Sequence, residues 1–169
     1  MSIQLISLSG TPDEIGYQHG QLLKEPIHQN IAFYQSVFLK NMSEKSEILQ
    51  VARRYQESIR AFNPNFNLEI DHIAIGAGVS EPLWLYALNA RTELSMISTM
   101  HECTAVVCPR NGLIGQTWDW ADKLEEKFFL MEISFPTGHK ILQLSEAGMI
   151  GKIGLNNHGL GVTLNYLYD

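Results

Sequence analysis

Residues 101–120 read His101-Glu102-Cys103-Thr104-Ala105-Val106-Val107-Cys108-Pro109-Arg110-Asn111-Gly112-Leu113-Ile114-Gly115-Gln116-Thr117-Trp118-Asp119-Trp120. Cys103 to Cys108 is a run of β-branched and small apolar residues, and Leu113 to Trp118 is a second such run. Pro109-Arg110-Asn111-Gly112 supplies turn chemistry between them. Asn-Gly flanked by two strand-like runs predicts a hairpin, because both residues tolerate φ > 0. Folding the segment back on itself brings the start of the first strand, Cys103, close to the end of the second, Asp119. A thiol and a carboxylate then share one end of a sheet. A cysteine in an apolar strand is ordinarily a small core residue. It becomes a nucleophile only beside a base or fixed charges.

Working outward toward the C-terminus, the apolar period stays at two. Phe128 to Phe135 and His139 to Leu144 are expected strands around a Pro136-Thr137-Gly138 turn. Glu146-Ala147-Gly148 is a further turn. Met149 to Leu155 and Leu160 to Leu167 are expected strands flanking Asn156 to Gly159, which makes an antiparallel meander of about six strands over 103–167. Lys152 and His158 are expected to face water, and His101 flanks the cysteine segment.

Toward the N-terminus the period changes to that of helices. After a short strand at residues 3–8, Thr11-Pro12-Asp13-Glu14 combines a Thr N-cap, Pro at the first helical position and Glu three residues after the cap. This helix should continue to Phe38, bending at Pro26. Gly16 and Gly20 on one face imply close approach of another backbone, which makes neighbouring His19 a packing or capping residue. A second helix is expected over 44–62, with a turn at Asn63-Pro64-Asn65. A third should span Leu68 to Ala77, and a fourth should run from Ser80-Glu81-Pro82 to Ser98. The polar cluster Asn89, Arg91, Thr92 and Glu93 fits either a solvated or a buried face.

Composition narrows the function classes. With 169 residues, 45% hydrophobic and 18% charged, the chain is globular. A net charge of −6 without a basic run argues against nucleic acid as partner. No apolar stretch approaches the ~18 residues of a membrane span, and the opening residues do not resemble a signal peptide. A cytoplasmic setting with free thiols is expected. Cys103 and Cys108 sit at an odd spacing in one strand and point to opposite faces, so neither a disulfide nor a Cys-x4-Cys metal site is expected. A thiol redox role is disfavoured on the same ground.

Several motifs in a fixed order carry a resemblance. Gly10-Thr11-Pro12-x-Glu14-Ile15-Gly16-Tyr17-x-His19-Gly20, Leu88 to Glu93, Cys103-Thr104, Gly115 to Asp119, and Glu146 to Gly154 followed by Asn156 and the Gly159–Asn165 strand are all present. Together they resemble the acyl-coenzyme A:6-aminopenicillanic acid acyltransferase family of N-terminal-nucleophile hydrolases. The resemblance runs from about residue 8 to the end and covers the front portion of a longer family pattern. The implied fold is α+β, the front portion of an αββα sandwich with helices over 11–98 and the meander over 103–167. Absence of a helix after the last strand fits the same expectation of a front part.

The resemblance further implies a precursor that cuts itself between Glu102 and Cys103. Residues 1–102 would form a helical N-terminal segment, and 103–169 the start of the catalytic sheet. Cys103 would be the nucleophile, with Asp119 orienting its amino group and Asn165 belonging to the oxyanion hole. Gln116, Thr117 and Trp118 are substrate-pocket candidates. No cofactor and no metal are required, the substrate would be a small-molecule amide or acyl-coenzyme A, and the cut chains would stay associated. Two departures stand out: Glu102 replaces the glycine that penicillin acyltransferases carry before the nucleophile, and Gln116 replaces an arginine of bile-salt hydrolases. The competing reading is a catalytically incomplete member that serves as a binding module.

Overall fold

The computed structural model describes residues 3–95, 103–117 and 127–165. Strand β1 (Gln4–Ser9) leads into α1 (Pro12–Leu22), whose N-cap Thr11 forms the expected capping box with Glu14. Helix α2 (Lys24–Phe38) follows after a single residue, Leu23. The expected bend at Pro26 is instead a break three residues earlier. Proline has no N–H and its ring collides with the carbonyl four residues back, so the chain restarts its helix and leaves Pro26 in the first turn.

Helix α3 (Lys45–Phe62) lies where expected. Helix α4 (Pro64–Ala77) begins four residues before its expected start, because the Asn63-Pro64-Asn65 segment is a helix N-terminus and not a free turn. Asn63 caps it by accepting the Asn65 N–H at 3.0 Å, and Pro64 takes the first helical position. The fourth expected helix divides into α5 (Leu83–Asn89) and α6 (Arg91–Ser95); its continuation to Ser98 lies outside the described residues.

Helices α1 and α4 pack backbone to backbone. A Cβ placed on Gly16 or Gly20 would strike the Glu69 or Ile73 carbonyl, and one on Gly76 would strike the Tyr17 carbonyl. The i, i+4 glycines therefore serve the close approach that their spacing implied.

A five-stranded sheet carries the order β1-β4-β5-β6-β7, with β4 (Phe128–Ser134), β5 (Lys140–Glu146), β6 (Ile153–Asn156) and β7 (Gly161–Val162). From β4 to β7 it is the expected antiparallel meander, with β6 and β7 shorter than expected. Strand β1 adds itself parallel to β4, pairing Gln4 with Phe129 through to Ser9 with Ser134. One face carries Ile6, Leu8, Phe129, Met131 and Ile133, all buried in one core with Ile15, Ile27, Tyr34, Phe38 and Leu85 of the helices. Strands β2 (Ala105–Cys108) and β3 (Leu113–Gln116) form the expected hairpin as a separate two-stranded sheet, joined through a 3-10 turn at Pro109–Asn111. Only Gly112 closes the loop with positive φ (62°), because the four-residue connection leaves Asn111 in the helical turn.

Candidate active site

The hairpin is exposed on both faces along β2, and Cys103, two residues before it, is half-buried with a free thiol. Cys108 is free and exposed, in keeping with the expectation that the two do not pair. Beyond the last ladder pair the strands are held by Thr117, whose N–H donates to the Thr104 carbonyl (2.9 Å) and whose hydroxyl accepts the Thr104 N–H (3.0 Å). Cys103 thus emerges from a backbone fixed on its C-terminal side.

Residues after β7 complete the arrangement. The Gln116 carboxamide makes two hydrogen bonds with one residue: Nε2 donates to the Leu164 carbonyl (3.3 Å), and Oε1 accepts the Leu164 N–H (2.7 Å). The next side chain, Asn165, donates from Nδ2 to the Cys103 carbonyl at 3.2 Å, across 62 residues of sequence. Cys103, Gln116, Thr117 and Asn165 are therefore brought together. Glu102, Trp118 and Asp119 lie outside the described residues, as does His101. Among the described residues, no group of three or more His, Cys, Asp or Glu could hold a metal ion, and no helix is long and apolar enough to cross a membrane.

A second polar assembly was not anticipated. Lys152, expected in water, has a side chain only 2% exposed and pairs with Glu146, which is fully buried. Tyr34 Oη donates to the other Glu146 oxygen at 2.8 Å, and Arg91 Nε lies 3.5 Å from the first. Burial pulls Lys152 down to about 7, with Arg91 acting in the same direction and Glu146 opposing. Its ammonium also sits 5.4 Å from the centroid of the Phe128 ring.

The neighbouring turn is held by helix side chains. Asn30 donates to the Ala147 carbonyl (2.9 Å). Asn89 donates to the Gly148 carbonyl (2.9 Å) and accepts the Ile150 N–H (3.0 Å). His19 Nε2 accepts the Gly148 N–H (3.0 Å). His19 is fully buried, and that desolvation lowers its pKa to about 4; the neutral ring is the form that can accept this bond. His19 is a packing residue, as its glycine neighbours implied. Of the polar helix cluster, Asn89 and Arg91 face this turn. The available sequence signal was Glu146 and Lys152 standing as the only charges in Ile141–Leu155, a segment otherwise rich in apolar residues and glycine.

No family model matches the chain. The acyl-coenzyme A:6-aminopenicillanic-acid-acyltransferase 40 kDa form of Emericella nidulans is 34% identical over 170 aligned positions, covering 96% of this chain and 47% of that protein. The chain spans about half the length of the curated relative it matches. That relative implies the N-terminal-nucleophile hydrolase fold for the observed α+β arrangement. By identity along nearly all of its own length, the chain belongs to the acyl-coenzyme A:6-aminopenicillanic acid acyltransferase family.

Proposed function

We propose that the chain carries the nucleophile of a self-processing cysteine acyltransferase or amidohydrolase, with Cys103 as the attacking group. The observation that supports it most directly is the convergence of Asn165 on the Cys103 main chain across 62 residues, in a chain 34% identical to an acyltransferase.

In the first step the Cys103 thiol adds to the Glu102 carbonyl. The Glu102–Cys103 C–N bond breaks, the thiol proton passes to the departing nitrogen, and a thioester remains. That step frees a new α-amino group on Cys103, and water then hydrolyses the thioester to release the Glu102 carboxylate and the thiol. That amine has a reference pKa of about 7.7–8.0 and is tethered to the sulfur it serves, so it can act as base near neutrality. In turnover the thiol attacks an amide or acyl thioester and expels the amine or thiol with its proton. An amine or water then takes the acyl group and restores the thiol. Asp119 orients the amino group, and Asn165 supplies a donor for the developing oxyanion, a role typically worth ~3 kcal/mol. Gln116, Thr117 and Trp118 are the pocket candidates, and the substrate class is a small amide or acyl-coenzyme A.

The test is intact mass with N-terminal sequencing of every chain present, for the wild type and Cys103→Ala. Two fragments in the wild type, one starting at Cys103, and a single chain in the variant is the expected result. Turnover surviving in Cys103→Ala would overturn the assignment. An uncut wild type with an unreactive Cys103 would favour the binding-module reading.

A further inference from the structure

Cys103 begins a hairpin that, among the described residues, shares no backbone ladder with the five-stranded sheet. Its two strands pair only with each other. The question is what sets the position of Cys103 relative to Asn165, which follows β7 at the far edge of that sheet. Among the described residues the gap is crossed by the paired hydrogen bonds of Gln116 with Leu164, by the hydrogen bond of Asn165 to Cys103, and by the Ile114 side chain, which a Cβ on Gly161 would meet.

We infer that Gln116 is a positioning residue whose carboxamide takes the place of a missing strand residue, latching the nucleophile hairpin to the sheet and thereby setting Asn165 against Cys103. This rests on the reading of Cys103 as nucleophile, and it assigns Gln116 to positioning and not to substrate contact. A primary carboxamide offers one donor and one acceptor side by side, matching the C=O and N–H of a single extended residue. It therefore reads the Leu164 backbone as a neighbouring strand would. Asn165 is the next residue, so fixing Leu164 fixes the origin of the side chain that reaches Cys103. Asparagine at 116 is one methylene too short to span the same gap, and Glu lacks the donor.

The experiment combines Gln116→Leu, Asn165→Ala and the double variant, with amide exchange at Leu164 as a readout independent of catalysis. In Gln116→Leu the Leu164 amide should exchange at least about tenfold faster, because its acceptor is gone. The thermal unfolding midpoint should stay close to that of the wild type, since the contact is exposed. Self-cleavage or acyl transfer should fall about 10- to 100-fold, as small misplacements of reacting groups do. The double variant should be no worse than Asn165→Ala alone, because the two residues act in series. Unchanged exchange at Leu164 would overturn the latch. Faster exchange combined with multiplying rate losses would overturn the claim that Gln116 acts through Asn165. Failure of the nucleophile reading would show separately as a wild type that neither cleaves nor acylates, while the exchange measurement still decides the latch.

Discussion

His19 shows how a single side chain links helix, sheet and solvent conditions. Its ring is buried on α1 and accepts the Gly148 N–H at 3.0 Å. Burial strips the imidazolium of water and holds the pKa at about 4 against an ordinary 6.5, and only the neutral ring can accept that N–H. The unfolded chain takes up this proton at higher pH. The resulting stability is therefore complete above about pH 6.5 and is lost as pH falls toward 4. The whole effect should be about 3 kcal/mol, each pKa unit being worth about 1.4. His19→Gln keeps an acceptor but cannot titrate, so urea unfolding between pH 4 and 7 should show a shallower slope for the variant. Parallel curves for the two proteins would count against this account. The sequence had marked His19 as a packing residue because its glycine neighbours demand contact. Lys152 reads as exposed because it alternates imperfectly with Ile150 and Ile153, whereas its burial depends on Glu146, which Tyr34 and Arg91 meet from the helices.

Among the elements, the α1–α4 pair is the most constrained. Replacing a helical glycine by alanine ordinarily stabilises a helix by about 1 kcal/mol. At Gly20 the added Cβ would meet the Ile73 carbonyl and the Gly76 backbone of α4. Backbone cannot swing aside as a side chain can, and overpacking of this kind costs typically 1–3 kcal/mol. Gly20→Ala should therefore destabilise the protein by about 1–2 kcal/mol, read from denaturant midpoints at constant slope. A stabilised variant would mean the two helices do not touch at this glycine. The hairpin belongs to the same scale but behaves differently. Its turn chemistry was local and legible, whereas its separation from the main sheet depends on contacts with residues 161–165 that no local pattern announces.

Across the whole molecule, the core is shared by residues on both sides of the proposed cut. Strand β1 lies in the sheet beside β4, and His19, Asn30, Tyr34, Asn89 and Arg91 all bond to residues 146–150. Six parallel backbone pairs and this polar assembly do not depend on a peptide bond between 102 and 103. If the chain is cut there, the two fragments should co-elute in native size exclusion and separate only in denaturant. Fragments that part under native conditions would show that these contacts do not hold the chains together. Truncated chains starting after β1 should lose the edge strand and with it the burial of Ile6 and Leu8 against the helices.

The sequence by itself determined what a few neighbouring residues can decide. The Thr11 capping box, the paired glycines, the Asn111-Gly112 connection and the alternation from Phe128 onward all express backbone preferences and side-chain periods within one turn or one strand. The set of motifs around Cys103 likewise named the family and the candidate nucleophile. Only the tertiary structure decided that β1 pairs with a strand 125 residues away and does so in parallel. It also decided that Glu146 and Lys152 turn inward, and that Gln116 spends both ends of its carboxamide on Leu164. Those outcomes depend on which surfaces meet after chain closure. A charged or polar side chain is stable inside only when partners meet it there; Glu146 and Lys152 stand six residues apart, but Tyr34 and Arg91, which complete their assembly, come from distant helices.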